Sequence, residues 1–258
     1  MNKDKQLQTP LVMGRSGFDR RFDRRSFGEP LSALRSIPIV DSGEPLVDLR
    51  NVAPHILLEP GCLPLLRERV AQMVIHAQSL LPSDHFLVVG TCLRTVDMQR
   101  GIQDSFRKDL IEKNPNWSSS TLNRTLNRMI APPDDKSPAP HTTGAALDVG
   151  IKDVAGGRLE FVHPLDHWYG APTYSSGLSD IAKANRIMLI EAMEAAGLTN
   201  YLGEWWHWSF GDQGWAIRTG TPHAFYGRVT VEDAESQKVP KPPEEQTAVQ
   251  DSNTVEAS

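Results

Sequence analysis

His141, Asp148, Glu204 and His207 are the side chains best suited to chemistry in this chain. They lie in His141-Thr142-Thr143-Gly144-Ala145-Ala146-Leu147-Asp148 and Glu204-Trp205-Trp206-His207. Two imidazoles and a carboxylate can hold a divalent cation, and a second carboxylate can move protons. Zinc in a hydrolase usually takes three protein ligands and keeps a fourth position for water. A bound divalent ion draws the pKa of that water towards neutrality. An unligated carboxylate beside it can take the proton and pass it to a leaving amine. These are the parts of a metallopeptidase.

The spacings constrain the elements that must position them. Residues seven apart on a regular strand face opposite sides, because side chains alternate. His141 must therefore sit on an irregular approach, which Pro140 and Gly144 permit, while Asp148 projects from a strand over 145–151. Glu204 and His207, three apart, would also face oppositely on a flat strand, so a twist or bulge is expected there. Six further histidines are present: His55, His76, His85, His163, His167 and His223. His163 and His167, four apart beside Asp166, form an alternative metal pair if that segment is helical. Pro164, Gly157 and Gly170 argue against a helix there. Trp205, Trp206 and Trp208 read either as core aromatics or, beside a ligand, as walls that keep a site dry.

Around these residues the periodicities predict an α+β fold, with helices packed around a central antiparallel sheet in a single catalytic domain. Helices are expected over 63–81, 96–113, 119–130 and 180–196, and strands over 86–89, 145–151, 202–210 and 215–217. Gly211-Asp212-Gln213-Gly214 reads as a hairpin turn between the last two strands. Composition sets the domain limits: a basic flexible leader over 1–40, a catalytic domain over 41–230, and a disordered acidic tail over 231–258.

The net charge of −5 belongs to the ends. Residues 1–30 hold +3 and residues 231–258 hold −5, leaving 31–230 at −3. No basic stripe points to nucleic acid. Cys62 and Cys92 are too few for a disulfide framework or a cysteine zinc knuckle and read as small buried residues. No run of about 20 apolar residues offers a membrane span. Arg24-Arg25-Ser26-Phe27 resembles the core of a twin-arginine signal, but the next residues are broken by charge and proline. A cytoplasmic protein is expected, with export as the alternative.

At the four residues above, the chain resembles the D-alanyl-D-alanine dipeptidase family of zinc peptidases. Its signature is a His followed seven positions later by Asp, then Glu-x-x-His near the domain's end. The likeness extends to Leu46-Val47-Asp48-Leu49, Asn185-Arg186 and Met193-Glu194-Ala195-Ala196-Gly197-Leu198, covering roughly 45–215. It implies zinc on His141, Asp148 and His207, with Glu204 as general base. It also implies an arginine after a central strand to polarise the scissile carbonyl, which Arg94 matches. Where the family shows Gly-Tyr-Arg-Pro, this chain has Cys92-Leu93-Arg94-Thr95. Ala139-Pro140 replaces the serines common before the first ligand, and Asp166 is the candidate for the acidic group that binds a dipeptide's free amine. The expected activity is hydrolysis of D-Ala-D-Ala or a similar short D-amino-acid-containing dipeptide. Alternatives are a carboxypeptidase or endopeptidase on longer peptidoglycan stems, and a non-enzymatic zinc-binding module. The expected partner is a small peptide substrate.

Overall fold

The computed structural model describes Phe22 and residues 28–133, 136–162 and 171–229. The site is carried by a five-stranded sheet of order β2-β4-β5-β7-β6. Its strands are β2 (Leu57–Leu58), β4 (His85–Thr91), β5 (Ala146–Asp153), β6 (Thr199–Asn200) and β7 (His207–Ser209). Neighbours run antiparallel except at one edge, where β2 pairs parallel with β4. The α+β expectation therefore holds, with that one parallel pair as a departure. A separate antiparallel ribbon joins β1 (Leu46–Asp48), which runs into the one-turn helix α2 (Leu49–Val52), to β3 (Leu65–Arg67).

Helices form where apolar spacing and capping agree. In α3 (Glu68–Leu80), Val70, Val74 and Ala77 recur at helical spacing and are fully buried. They face α6 (Asp180–Ala195), whose buried stripe includes Ala182, Leu189 and Met193. These helices and one sheet face enclose the core, which holds Leu87, Val89, Leu147, Val149 and Trp208. Thr95, Ser118 and Ser179 cap α4 (Val96–Lys113), α5 (Ser119–Met129) and α6 by accepting from Met98, Thr121 and Ala182 N–H groups. Each such cap satisfies a backbone donor that the first turn leaves orphaned.

Three expectations about elements are corrected. The helix placed over 63–81 begins only at Glu68, because Leu65–Arg67 pairs with β1. The strand placed over 202–210 shrinks to β7. Its first half is turned, with Glu204 N–H donating to Tyr201 O (2.9 Å) and His207 N–H to Glu204 O (3.2 Å). Asn200 holds that turn through Nδ2, which donates to the carbonyls of Glu204 and His207. The strand placed over 215–217 is helix α7 (Gln213–Thr219). Asp212, read as part of a hairpin turn, caps it by accepting from Trp215 N–H at 2.6 Å. A short apolar run is ambiguous between strand and buried helix, and the cap decides it.

The fold also starts earlier than composition suggests. Residues 28–40 lie against the domain, including α1 (Leu31–Leu34), which packs on α7. Gln213 Nε2 donates to Ile37 O (2.7 Å), Ala224 N–H donates to Pro38 O, and Val40 N–H donates to Ala224 O. Phe22 packs with Leu178 and Ala182. The rest of the leader, including Arg24 and Arg25, and the tail beyond residue 229 lie outside the described residues. No described helix is long and apolar enough to cross a membrane.

Candidate active site

The sheet register brings Asp148 and His207 together. They are direct partners in the antiparallel β5–β7 pair, 59 residues apart in sequence. His141 arrives from a 3-10 turn, Pro140–Thr143, that ends at Gly144 with φ of 69°. The turn needs glycine for its left-handed backbone, and a Cβ there would lie 2.5 Å from Leu46 Cδ2, forcing that side chain to shift. Buried Arg67 fastens the same turn: its Nε donates to Thr143 O (3.0 Å) and its backbone N–H to Gly144 O.

His141 is clamped by the segment that leaves β4. Its Nδ1 donates to Cys92 O at 2.8 Å, and Arg94 N–H donates to His141 O at 3.0 Å. Committing Nδ1 to a carbonyl fixes the tautomer and leaves Nε2 as the lone-pair donor, an arrangement typical of a metal-binding imidazole. Nε2 lies 3.2 Å from Asp148 Oδ1 and 3.1 Å from His207 Nδ1, and His207 Nδ1 lies 3.1 Å from Asp148 Oδ1. Ligand atoms about 2.0–2.1 Å from a tetrahedral zinc stand about 3.3 Å from one another. The three donors therefore fit one cation. They are the group of metal-ligating residues found among the described residues.

The electrostatics fit as well. Burial alone would raise the Asp148 carboxyl, but the histidines against Oδ1 hold it well below the usual carboxylate range. Burial depresses His141, keeping it neutral. Burial opposes charge on His207, but its hydrogen bond to Asp148 and the negative charges of Asp148, Glu204 and Asp212 together outweigh it, and its pKa moves up. A cation between them would take the place of that proton.

Glu204 stands in the turn before His207 and lines the same cavity as the three donors. Burial, with a smaller push from Asp148, lifts its carboxyl to about 7. Trp206 walls the cavity beside it. Trp205 instead stacks on Phe161 with ring centroids 4.3 Å apart, and Trp208 is fully buried in the core. Arg94 Nη2 donates to Asp148 Oδ2 at 3.2 Å, and Nη1 lies 3.5 Å from Gln99 Oε1. The guanidinium thus faces the cavity from the turn between β4 and α4.

All five residues singled out from the sequence meet in this cavity of about 340 Å³. Several lining residues went unnoticed in the sequence, among them three polar ones. Gln99 is buried, aligns Arg94 and is itself held by Ala131 O (2.8 Å). Tyr201, pushed up to about 12 by burial and the nearby Glu204, packs edge-on to His207. Glu29 pairs with Arg218 at 2.9 Å. No spacing signal marks any of them, since each reaches the cavity through tertiary packing. Asp166, His163 and His167 lie outside the described residues.

A family model described as D-Ala-D-Ala dipeptidase matches residues 44–225 of the 258, spanning every residue of the metal cluster. The chain belongs to the D-Ala-D-Ala dipeptidase family. It is accordingly a peptidase, and the non-enzymatic reading is set aside. A D-alanyl-D-alanine dipeptidase from Synechocystis sp. is 27% identical over 246 residues, covering 79% of this chain and 99% of that protein. Two solved structures are also similar. VanYB in complex with D-alanine-D-alanine matches at 14% identity and a TM-score of 0.40, covering 79% of this chain and 99% of that one. A mutant of the vancomycin-resistance D,D-pentapeptidase VanY with Zn(II) matches at 15% identity and 0.38, covering 71% and 92%.

Proposed function

We propose that this family member is a zinc-dependent dipeptidase that hydrolyses D-Ala-D-Ala or a similar short D-amino-acid-containing dipeptide. One observation carries the reading: three donor atoms at tetrahedral spacing share a cavity with a raised carboxyl and a guanidinium. His141 Nε2, an Asp148 oxygen and His207 Nδ1 would hold the zinc. When bound, zinc supplies Lewis acidity and makes water a nucleophile near pH 7.

The chain's own residues do the rest. Glu204 takes the proton of the attacking water at its carboxylate and returns it to the nitrogen of the leaving amine. Its position near 7 suits both directions of transfer, because a base matched to the working pH is also a competent acid after protonation. Arg94 donates to the carbonyl oxygen as charge develops there, while Asp148 Oδ2 and Gln99 keep its guanidinium aimed. Trp206 and Tyr201 restrict water around Glu204.

The test uses the purified, zinc-loaded chain with D-Ala-D-Ala. Glu204→Ala is expected to retain stoichiometric zinc while losing a factor of about 10²–10⁴ in turnover, the usual worth of a general base. Turnover at the native rate would end the assignment.

A further inference from the structure

The cavity is longer than the reaction requires, and its extension is apolar. Gln99, which touches Arg94, starts one face of α4 that continues through Ile102 to Phe106, both lining the cavity. Seven residues of helix advance about 10 Å. Two residues of extended peptide span at most about 7 Å, and the side chain of alanine adds a single methyl. Leu31 and Leu34, three apart on one face of α1, and Met129 and Ile130 at the end of α5 complete the apolar lining. All six are half-buried and stand outside the main core cluster. Part of their apolar surface therefore stays open to the cavity.

We infer that this extension is a side-chain pocket, and that the preferred substrates are dipeptides carrying one bulky apolar side chain rather than two methyls. The inference rests on the dipeptidase reading above and names its substrate class. Arg94 contacts both Asp148 and Gln99, so the α4 face starts beside the reacting groups and runs on from them, and an apolar side chain held along it leaves the scissile bond free to reach them. A leucine side chain adds three carbons to that of alanine. At about fourfold per fully buried methylene, complete burial would reach roughly sixtyfold. About tenfold is expected for walls that stay half open.

The experiment compares kcat/KM of the zinc-loaded full-length chain on D-Ala-D-Ala, D-Ala-D-Leu and D-Leu-D-Ala. One leucine dipeptide exceeding D-Ala-D-Ala by about tenfold is the expected result, and the preferred isomer tells which residue enters the pocket. Hydrolysis of D-Ala-D-Ala with both leucine dipeptides equal or slower overturns the pocket and leaves the dipeptidase reading intact. Hydrolysis of none of the three by zinc-bound protein overturns both. Leu34→Ala, at a half-exposed position on a one-turn helix, is expected to lower the leucine-to-alanine ratio at least threefold. An unchanged ratio would remove α1 from the pocket wall.

Discussion

The two ends of the cavity are built from different material. The metal end comes from the sheet: Asp148 and His207 are register partners, and His141 is held by backbone bonds to the segment that follows β4. The apolar end comes from helix faces and a one-turn N-terminal helix whose side chains are half-buried. Strand register cannot slip without turning every side chain to the other face, so the first end is rigid by construction. Side chains on surface helices can change without that penalty. Chemistry is thus tied to the core, and choice of substrate to the rim.

If that division is right, damage to the metal end should slow every substrate alike. The largest effect is expected from His207→Ala or from chelation, either of which should abolish hydrolysis of all dipeptides; for the chelated native chain, added zinc should restore it. Metal content and turnover measured together check this. Arg94→Ala should follow, costing about 10²–10³ in kcat on each dipeptide if its guanidinium acts as an oxyanion donor. A loss confined to one substrate would instead move Arg94 into side-chain selection and blur the comparison.

The pH profile sharpens the same point. If Glu204 is the general base proposed above, it works as a carboxylate, and activity falls as pH drops through its pKa. Burial places that at about 7, and a nearby cation favours the ionised form, so the acid limb is expected at or below pH 7. Below it, kcat/KM should fall tenfold per pH unit and share one midpoint for alanine and leucine dipeptides. A limb that differs between substrates would assign the titration to another group.

The smallest effect tests backbone rather than side-chain positioning. Gly144→Ala puts a Cβ on a left-handed residue, costing about 1–2 kcal/mol in conformation alone, and drives it against Leu46. A loss of several degrees in Tm is expected by thermal melting, together with weaker zinc affinity as the His141 turn shifts. A fully stable variant would show that the turn has slack.

Much of the site was legible because donor identity is a property of residue type. Helices α4, α5 and α6 were also legible, since a 3.6-residue apolar period and a serine or threonine cap are local signals. The errors clustered where locality ends. Trp215–Ile217 is as apolar as a strand, and only the Asp212 cap makes it a helix. Trp206–Phe210 alternates like a strand, yet Asn200 draws the residues before it into the turn that presents Glu204. The leader boundary missed α1 because composition does not register hydrogen bonds made to residues 213 and 224.

By itself, the sequence determined which atoms were available: two imidazoles, two carboxylates and a guanidinium, with their spacings and helical supports. Only the tertiary structure decided that Asp148 faces His207, that Gln99 aims Arg94, and that Leu31 and Leu34 help to line the cavity. The physical reason is reach. Periodicity and capping act over a turn or two of chain, whereas strand pairing and cavity walls join residues dozens to well over a hundred positions apart.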